Sequence, residues 1–444
     1  MHILSAKVSR NWLVFVLAIV IAAIVAWMAR HVLNLVSPNQ LSTVSLNLIW
    51  FISFLAIAWN NVLAMLERPK TATALQRKRL DTLKVAILIP AYNEDAALLK
   101  GCIKSMLYQT RKPDAIIVVD DGSTVSYASV KKWLAALPDT SIELRWVRTE
   151  NHGKRHAQVI GITRSKDADI YITVDSDTVL DPKAIEEGLL PFADKSIQSV
   201  AGLCLPINNH ENLLTRFTGL WETVWQIVER SSQSTMNCVT VNTGQLAFYR
   251  GKTIRKYLKG YLSEDFFGRA VHFSDDSLMT MYAMQHGKTI QQPTSIAFSA
   301  VPNKVNHHIR RYMRWMRGSF IRTFWRFKYL PVTSYIYWLH MFRWVQFALS
   351  SLAIIILMAA GLATNPAILP YLVIVPILIS YGQSLRYLTI KRNDESAWNR
   401  FATFLTAPLA MVWSLTVLRV VRWYSYATCY KTGWGTRSKV EVSI

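Results

Sequence analysis

This sequence predicts an α/β domain with a largely parallel sheet, set into a membrane by helices on both sides of it. Three observations carry that prediction. Apolar residues make up 51% of the 444 positions but crowd into the two ends of the chain, while the middle has the composition of an ordinary soluble domain. In that middle, from Lys84 to about Asn306, short β-branched runs alternate with amphipathic stretches, the pattern of strands joined by helical crossovers. Three of these runs, Val85 to Ile89, Ala115 to Val119 and Ile170 to Val174, give way to polar residues at their carboxyl ends, where open α/β sheets place ligands.

The elements follow in order. Asn11 to Ala29 is long enough to span a bilayer, which takes about 20 apolar residues, and no small-residue cleavage site follows it, so it is expected to be an anchor. A second span, Val44 to Leu66, contains Trp50 and Trp59 and is closed by Glu67, Arg68, Pro69 and Lys70. Lys7 and Arg10 precede the first span, and Arg77, Lys78 and Arg79 follow the second. Only Arg30 and His31 lie between the two spans, which predicts a hairpin over 1–70 with the N-terminus and the middle domain (84–306) in the cytoplasm. Over 307–332, Arg310, Arg311, Arg314, Arg317, Arg322 and Arg326 interleave with Tyr312, Trp315, Phe320, Phe324 and Trp325, as in an amphipathic helix lying in the membrane interface.

The region 333–425 holds spans at Leu339 to Leu362 and Ala367 to Leu388. A further apolar stretch, Phe401 to Val421, is interrupted by Pro408 and accompanied by Arg419, Arg422, Lys431 and Arg437. A full crossing there would put those charges outside, so a re-entrant or interfacial segment is expected, giving four crossings and a cytoplasmic tail over 426–444.

The formal net charge is +22, but the Lys and Arg residues sit beside apolar segments, which points to membrane lipids as partners rather than nucleic acid. Cys102, Cys204, Cys238 and Cys429 form no CxxC pair, so neither a zinc site nor a disulfide framework is indicated.

Six stretches carry chemistry, and all but one also have a plainer reading. Pro90-Ala91-Tyr92-Asn93-Glu94 can present a ring and a carboxylate to a base, and is equally an ordinary strand end. In Asp120-Asp121-Gly122-Ser123 a carboxylate can accept an imide proton while Gly122 allows close backbone approach, though Asp-Gly is also a common turn. Asp175-Ser176-Asp177, read as extended, points two carboxylates the same way, an arrangement that calls for a hard divalent cation such as Mg²⁺ or Mn²⁺ completed by phosphate oxygens. Asn151-His152-Gly153-Lys154-Arg155-His156 can hold a diphosphate or be a solvated basic turn. Asp275 and Asp276 offer a general base, or a helix cap for the run Ser277 to Met284, or both. Further on, Arg311-x-x-Arg314-Trp315 puts two arginines on one helix face beside an indole. That combination suits a leaving diphosphate and a sugar ring, or a helix that merely anchors.

Taken together these stretches resemble the processive family 2 glycosyltransferases, above all the bacterial, streptococcal-type hyaluronan synthases, with relatives among the chitin-oligosaccharide and cellulose synthases. The likeness is most specific at Gly153-Lys154-Arg155-His156-Ala157-Gln158 and Asp167-Ala168-Asp169, and extends to Asn212-Leu213-Leu214-Thr215-Arg216, Val228-Glu229-Arg230 and Trp434-Gly435-Thr436-Arg437. The resemblance implies a GT-A fold and a UDP-sugar donor. It places Tyr92, Glu94, Asp120 and Asp121 at the nucleoside and Lys154, Arg155 and Arg311 at the diphosphate, with Asp175 also binding the nucleotide sugar and Asp177 as the metal ligand. Asp276 would be the base beside Asp275, Arg314 and Trp315 would serve catalysis and the acceptor, and Trp434 and Arg437 would pack near the nucleotide.

The family extends a β-linked polysaccharide and exports it through its own helices, in bacteria across the inner membrane. Three departures surround the acceptor. Thr243-Gly244-Gln245 stands where these synthases usually have Ser-Gly-Pro, Ser274-Asp275-Asp276-Ser277 where they have Gly-Asp-Asp-Arg, and Arg311 where they have Gln. The expected product is therefore an N-acetylhexosamine-containing polymer, either hyaluronan or a homopolymer such as a capsule or O-antigen chain. Transfer of a single sugar to a lipid is the other reading.

Overall fold

The computed structural model describes residues 3–9, 11–36, 55–138, 141–363, 367 and 369–433. In chain order its strands are β1 (Ala6–Val8), β2 (Val85–Ala91), β3 (Ala115–Asp121), β4 (Glu143–Thr149), β5 (Ile170–Thr173), β6 (Val179–Leu180), β7 (Ile197–Pro206), β8 (Ala247–Arg250), β9 (Asp265–Phe266), β10 (Arg269–Ala270), β11 (Lys288–Ser299) and β12 (Ile390–Arg392). The apolar runs β2, β3 and β5 are buried on both faces, as strands in a helix-covered sheet must be. They belong to an eight-stranded sheet in the order β4-β3-β2-β5-β8-β7-β11-β6. The four neighbours β4 to β5 are parallel, as are β7 and β11, while β8 runs antiparallel between β5 and β7, and β6 antiparallel along β11. The sheet is thus more mixed than the alternating pattern suggested, because β8 enters in reverse between β5 and β7.

Helices cover both faces. Ile87, Ile103, Ile172 and Phe248 meet on one side, and Leu88, Ile117, Tyr171 and Leu278 on the other. A third cluster joins the sheet to the membrane part, with Leu203, Leu205 and Phe298 packing against Val14, Ala64, Leu385 and Phe404.

Among the described residues three helical runs are long and apolar enough to cross a membrane, Trp12–Val32, Leu369–Thr389 and Ala397–Ala427, and Leu55–Leu66 is a shorter apolar helix. Tyr335–Ala363 adds a 29-residue helix. Val16, Ile19 and Trp27 on the first helix, and Ile355 and Met358 on Tyr335–Ala363, are exposed, which in a membrane means facing lipid. The first part of the second expected span, residues 44–54 including Trp50, lies outside the described residues. The stretch read as re-entrant is an almost unbroken helical run: Ala397–Leu405 ends at Thr406, Pro408 sits in the first turn of Ala407–Trp413 where its missing N–H does no harm, and Arg419–Ala427 follows.

Both ends of this run are tied to the catalytic half of the molecule. On one side Arg392 donates to the Pro206 carbonyl and β12 pairs with β1, whose Ala6 amide donates to Asp181. On the other, the His272 amide donates to the Thr432 carbonyl. Val305–Tyr329 is the expected amphipathic helix, with one correction. Arg322 and Arg326, read with the other arginines as the polar face of an interfacial helix, are buried.

Candidate active site

The carboxyl ends of β2, β3 and β5 open onto a cavity of about 760 Å³. Tyr92, Glu94, Asp121, Lys154, Asp175 and Asp177 line one end of it. The turn after β2 is held in place by Asn93, whose φ of 47° is left-handed. Its amide donates to Ser123 Oγ and its side-chain oxygen accepts from Thr124. Glu94 follows, buried, accepting from Ser176 Oγ at 2.9 Å.

The two aspartates that end β3 part company. Asp121 faces the cavity and accepts from the amides of His152 and Gly153, so it fixes the basic loop. Asp120, expected beside it at the nucleoside, is fully buried and is not part of the cavity wall. Its oxygens are taken by Arg148 Nη1 at 2.8 Å and the Ser123 amide at 3.0 Å, so its work is to close the loop. Gly122 does permit a close approach, but by protein. Its φ is +72°, and a Cβ there would lie 2.6 Å from the Asn151 nitrogen.

Asp175 and Asp177 flank a turn, closed by the Thr178 amide on the Asp175 carbonyl, rather than an extended segment. Both still face the cavity. Lys154 heads the helix Lys154–Arg164 and reaches Asp175 at 2.7 Å and Asp275 at 3.1 Å. Burial works against its charge, but the two carboxylates more than offset that and hold its pKa above the usual value. Gly244 sits directly over this pair, where a Cβ would be 2.9 Å from Lys154 Nζ.

The donor set fits a hard divalent cation. Asp175 and Asp177 both face the cavity, and among the described residues no group of three or more His, Cys, Asp or Glu side chains is arranged to hold a metal ion by itself, so substrate oxygens and water would complete the shell.

Arg155, placed beside Lys154 at the diphosphate by the resemblance, points the other way. It is buried on Glu264 at 2.7 Å and on the carbonyls of Tyr261 and Phe273. Glu264 also accepts from Arg322 and from Trp325 Nε1. Arg322 in turn donates to Ser277 Oγ at 3.2 Å, so the vacancy left by the family's usual Arg at 277 is filled from the amphipathic helix. No motif marked Glu264. The cluster binds the basic-loop helix, the amphipathic helix and the start of the helix Asp275–Met284 into one unit.

Asp275 and Asp276 occupy the first turn of that last helix, behind Ser274, whose φ is 60° and whose side chain makes no cap. Asp276 accepts from the Ser277 amide, so it does satisfy the helix end, and it also faces the cavity. Burial and then the negative charge of Asp275 push its pKa up. Asp275 is held below the usual range although burial opposes this, because Lys154 and Arg155 favour its charge.

Thr243, Gly244 and Gln245 line the cavity beyond, and Thr243 Oγ1 accepts from Arg230. Arg230 is completely buried and also reaches Gly202, Gln226 and Gln291. Arg311, Arg314 and Trp315 form the next part of the wall, and the cavity continues to His340, Arg343, Phe347 and Arg419 on the membrane side. Trp434 and Arg437 lie outside the described residues.

Comparison with known proteins agrees with this geometry. The model of Glycosyl transferase family 2 matches residues 86–258. Over 365 residues the chain is 33% identical to the hyaluronan synthase of Streptococcus pyogenes, covering 81% of this chain and 84% of that protein. It is 30% identical over 244 residues to an N-acetylglucosaminyltransferase of Azorhizobium caulinodans, covering 54% of this chain and 60% of the relative. A mannosyltransferase from Pyrobaculum calidifontis, solved with GDP-Man and Mn²⁺, superposes with a TM-score of 0.52 at 17% identity. The match covers 93% of this chain and all of that one, which supports the fold alone. With its mixed sheet, carboxylates at the strand ends and membrane helices, the chain belongs to glycosyl transferase family 2, as a membrane-bound member similar over most of its length to streptococcal hyaluronan synthase.

Proposed function

We propose that the protein is a processive, inverting polysaccharide synthase of the bacterial inner membrane. It would take UDP-sugars on the cytoplasmic side, build an N-acetylhexosamine-containing polymer and pass it out between its own helices. The observation that carries this reading is the continuity of the cavity, which runs from the strand-end carboxylates, past Asp276 and Trp315, to Arg343, Phe347 and Arg419 on the membrane helices. A transferase that released each product into the cytoplasm would have no use for that extension.

In this reading Tyr92, Glu94 and Asp121 hold the uridine, and Lys154 turns from Asp175 and Asp275 to the diphosphate, joined by Arg314. Asp177, with Asp175, holds Mg²⁺ or Mn²⁺, which when bound neutralises the charge of the leaving UDP. Asp276 takes the proton from the acceptor hydroxyl as its oxygen bonds to the anomeric carbon. The bond from that carbon to the diphosphate breaks on the opposite side, and UDP departs with the electron pair. One displacement inverts the centre, and no enzyme nucleophile is needed. Trp315 holds the acceptor sugar, with Thr243, Gly244 and Gln245 beneath it.

Purified protein in detergent with Mn²⁺ or Mg²⁺ and UDP-sugars, singly and in pairs, tests this through UDP release and product size. A long product from UDP-N-acetylglucosamine with UDP-glucuronate means hyaluronan, and one from a single N-acetylhexosamine donor means a homopolymer. A product one sugar long on a lipid, or incorporation of glucose alone, sinks the proposal.

A further inference from the structure

Arg311 stands where the related synthases usually carry glutamine, and its surroundings explain how a cation is tolerated there. Its guanidinium forms an ion pair with Glu222 on the helix Leu213–Val224, and both side chains are largely buried, at 12% and 15% exposed. Its Cζ also lies 4.6 Å from the centre of the Trp315 ring, one helical turn on. The adjacent residues repeat the link between the two helices: Trp221 meets Tyr312 edge to face, with ring centres 5.8 Å apart. Glu222, Arg311 and Trp315 all line the cavity. An arginine in that wall without a partner would be drawn to any anion passing it, and a long side chain held only at its stem would leave the indole free to tilt.

We propose that Glu222 is a positioning residue of the acceptor subsite. It holds Arg311 against one face of Trp315, fixing the plane of the indole and leaving the other face for the sugar at the end of the growing chain. This rests on the acceptor role of Trp315 given above. Glu222 touches no reacting atom and acts through Arg311.

The test is the ratio of UDP released to sugar incorporated, measured with whichever donor the wild type turns over, in E222Q, R311Q, the double variant and W315A. E222Q is expected to raise the ratio by about five- to tenfold as donor is hydrolysed for want of a held acceptor, with the donor KM unchanged within about twofold. The double variant is expected to be no worse than the worse single variant, because one pair is broken in all three. E222D, which keeps the charge but not the reach, is expected to uncouple as well and serves if E222Q does not fold. Normal coupling in E222Q, additive losses in the double variant, or a donor KM that rises in step would each overturn the proposal. Normal coupling in W315A would instead overturn the acceptor role of Trp315, whatever Glu222 does.

Discussion

At the scale of single residues, Asp276 can be separated from its plainer role because the two make opposite forecasts. Removing a general base lowers the rate by about 10²- to 10⁴-fold, so Asp276→Asn is expected to leave almost no transfer. Its carboxyl keeps a proton in the fold to a higher pH than in the unfolded chain, and such a group loses stability as pH rises between those two values. The asparagine variant should therefore melt no earlier than wild type at neutral pH, whereas loss of a pure helix cap would cost ~1 kcal/mol. By the same sign, kcat should fall on acidification at a pH well above that of an ordinary aspartate, which a pH–rate profile would show. Gly244→Ala would push a methyl group against Lys154 and Asp175 and should lower kcat/KM by about 10- to 100-fold with little change in melting.

The sequence disclosed these residues because carboxylates after an apolar run have few uses. It misassigned Asp120 and Arg155 because a pair of like residues carries no mark of which one turns inward.

At the scale of elements, the basic-loop helix, the helix Asp275–Met284 and the amphipathic helix meet at Glu264. The side chains of Glu264, Arg155 and Arg322 are 5%, 6% and 0% exposed. Breaking a buried pair by removing one partner costs about 3–5 kcal/mol. Glu264→Gln should accordingly lower the melting temperature in detergent more than any single change at the cavity wall, and a shift of only a degree or two would show that the arginines find other partners.

The strand starts were legible, since β2, β3 and β5 each begin where the sequence placed them, because a short β-branched run that follows a charged residue marks a buried strand; β2 and β3 run two residues past the expected ends and β5 stops one short. The antiparallel β8 was not, because strand direction is set by the path between strands and leaves no local trace. Arg322 was misread for a related reason. Six arginines on one helix look alike until a carboxylate from a distant loop selects which are buried.

For the whole molecule, a cation held by Asp177 with Asp175 and completed by a substrate diphosphate, as proposed above, would make activity depend on added metal. Chelation with EDTA should abolish UDP release, and Mn²⁺ or Mg²⁺ should restore it without refolding. Retention of full activity in excess chelator would contradict the assignment of Asp177.

The small two-stranded pairing of β1 with β12 has a larger consequence for how the chain is threaded. Ser5 and Asn393 exchange bonds, Ala6 is tied to Asp181, Arg392 to Pro206, and His272 to Thr432. Groups joined this way share one compartment. Between these tied points every departure of the polypeptide into the bilayer would therefore be a return journey, and crossings would come in even numbers. The run 397–427, despite its length, is pinned at both ends to the compartment that holds the sheet. Cysteines introduced singly at Ser5, Asn393 and Lys431 in a background without the native four should all escape an impermeant thiol reagent applied to whole cells, and all react once the membrane is opened. A single dissenting site would break the parity and with it the account of the last helical run.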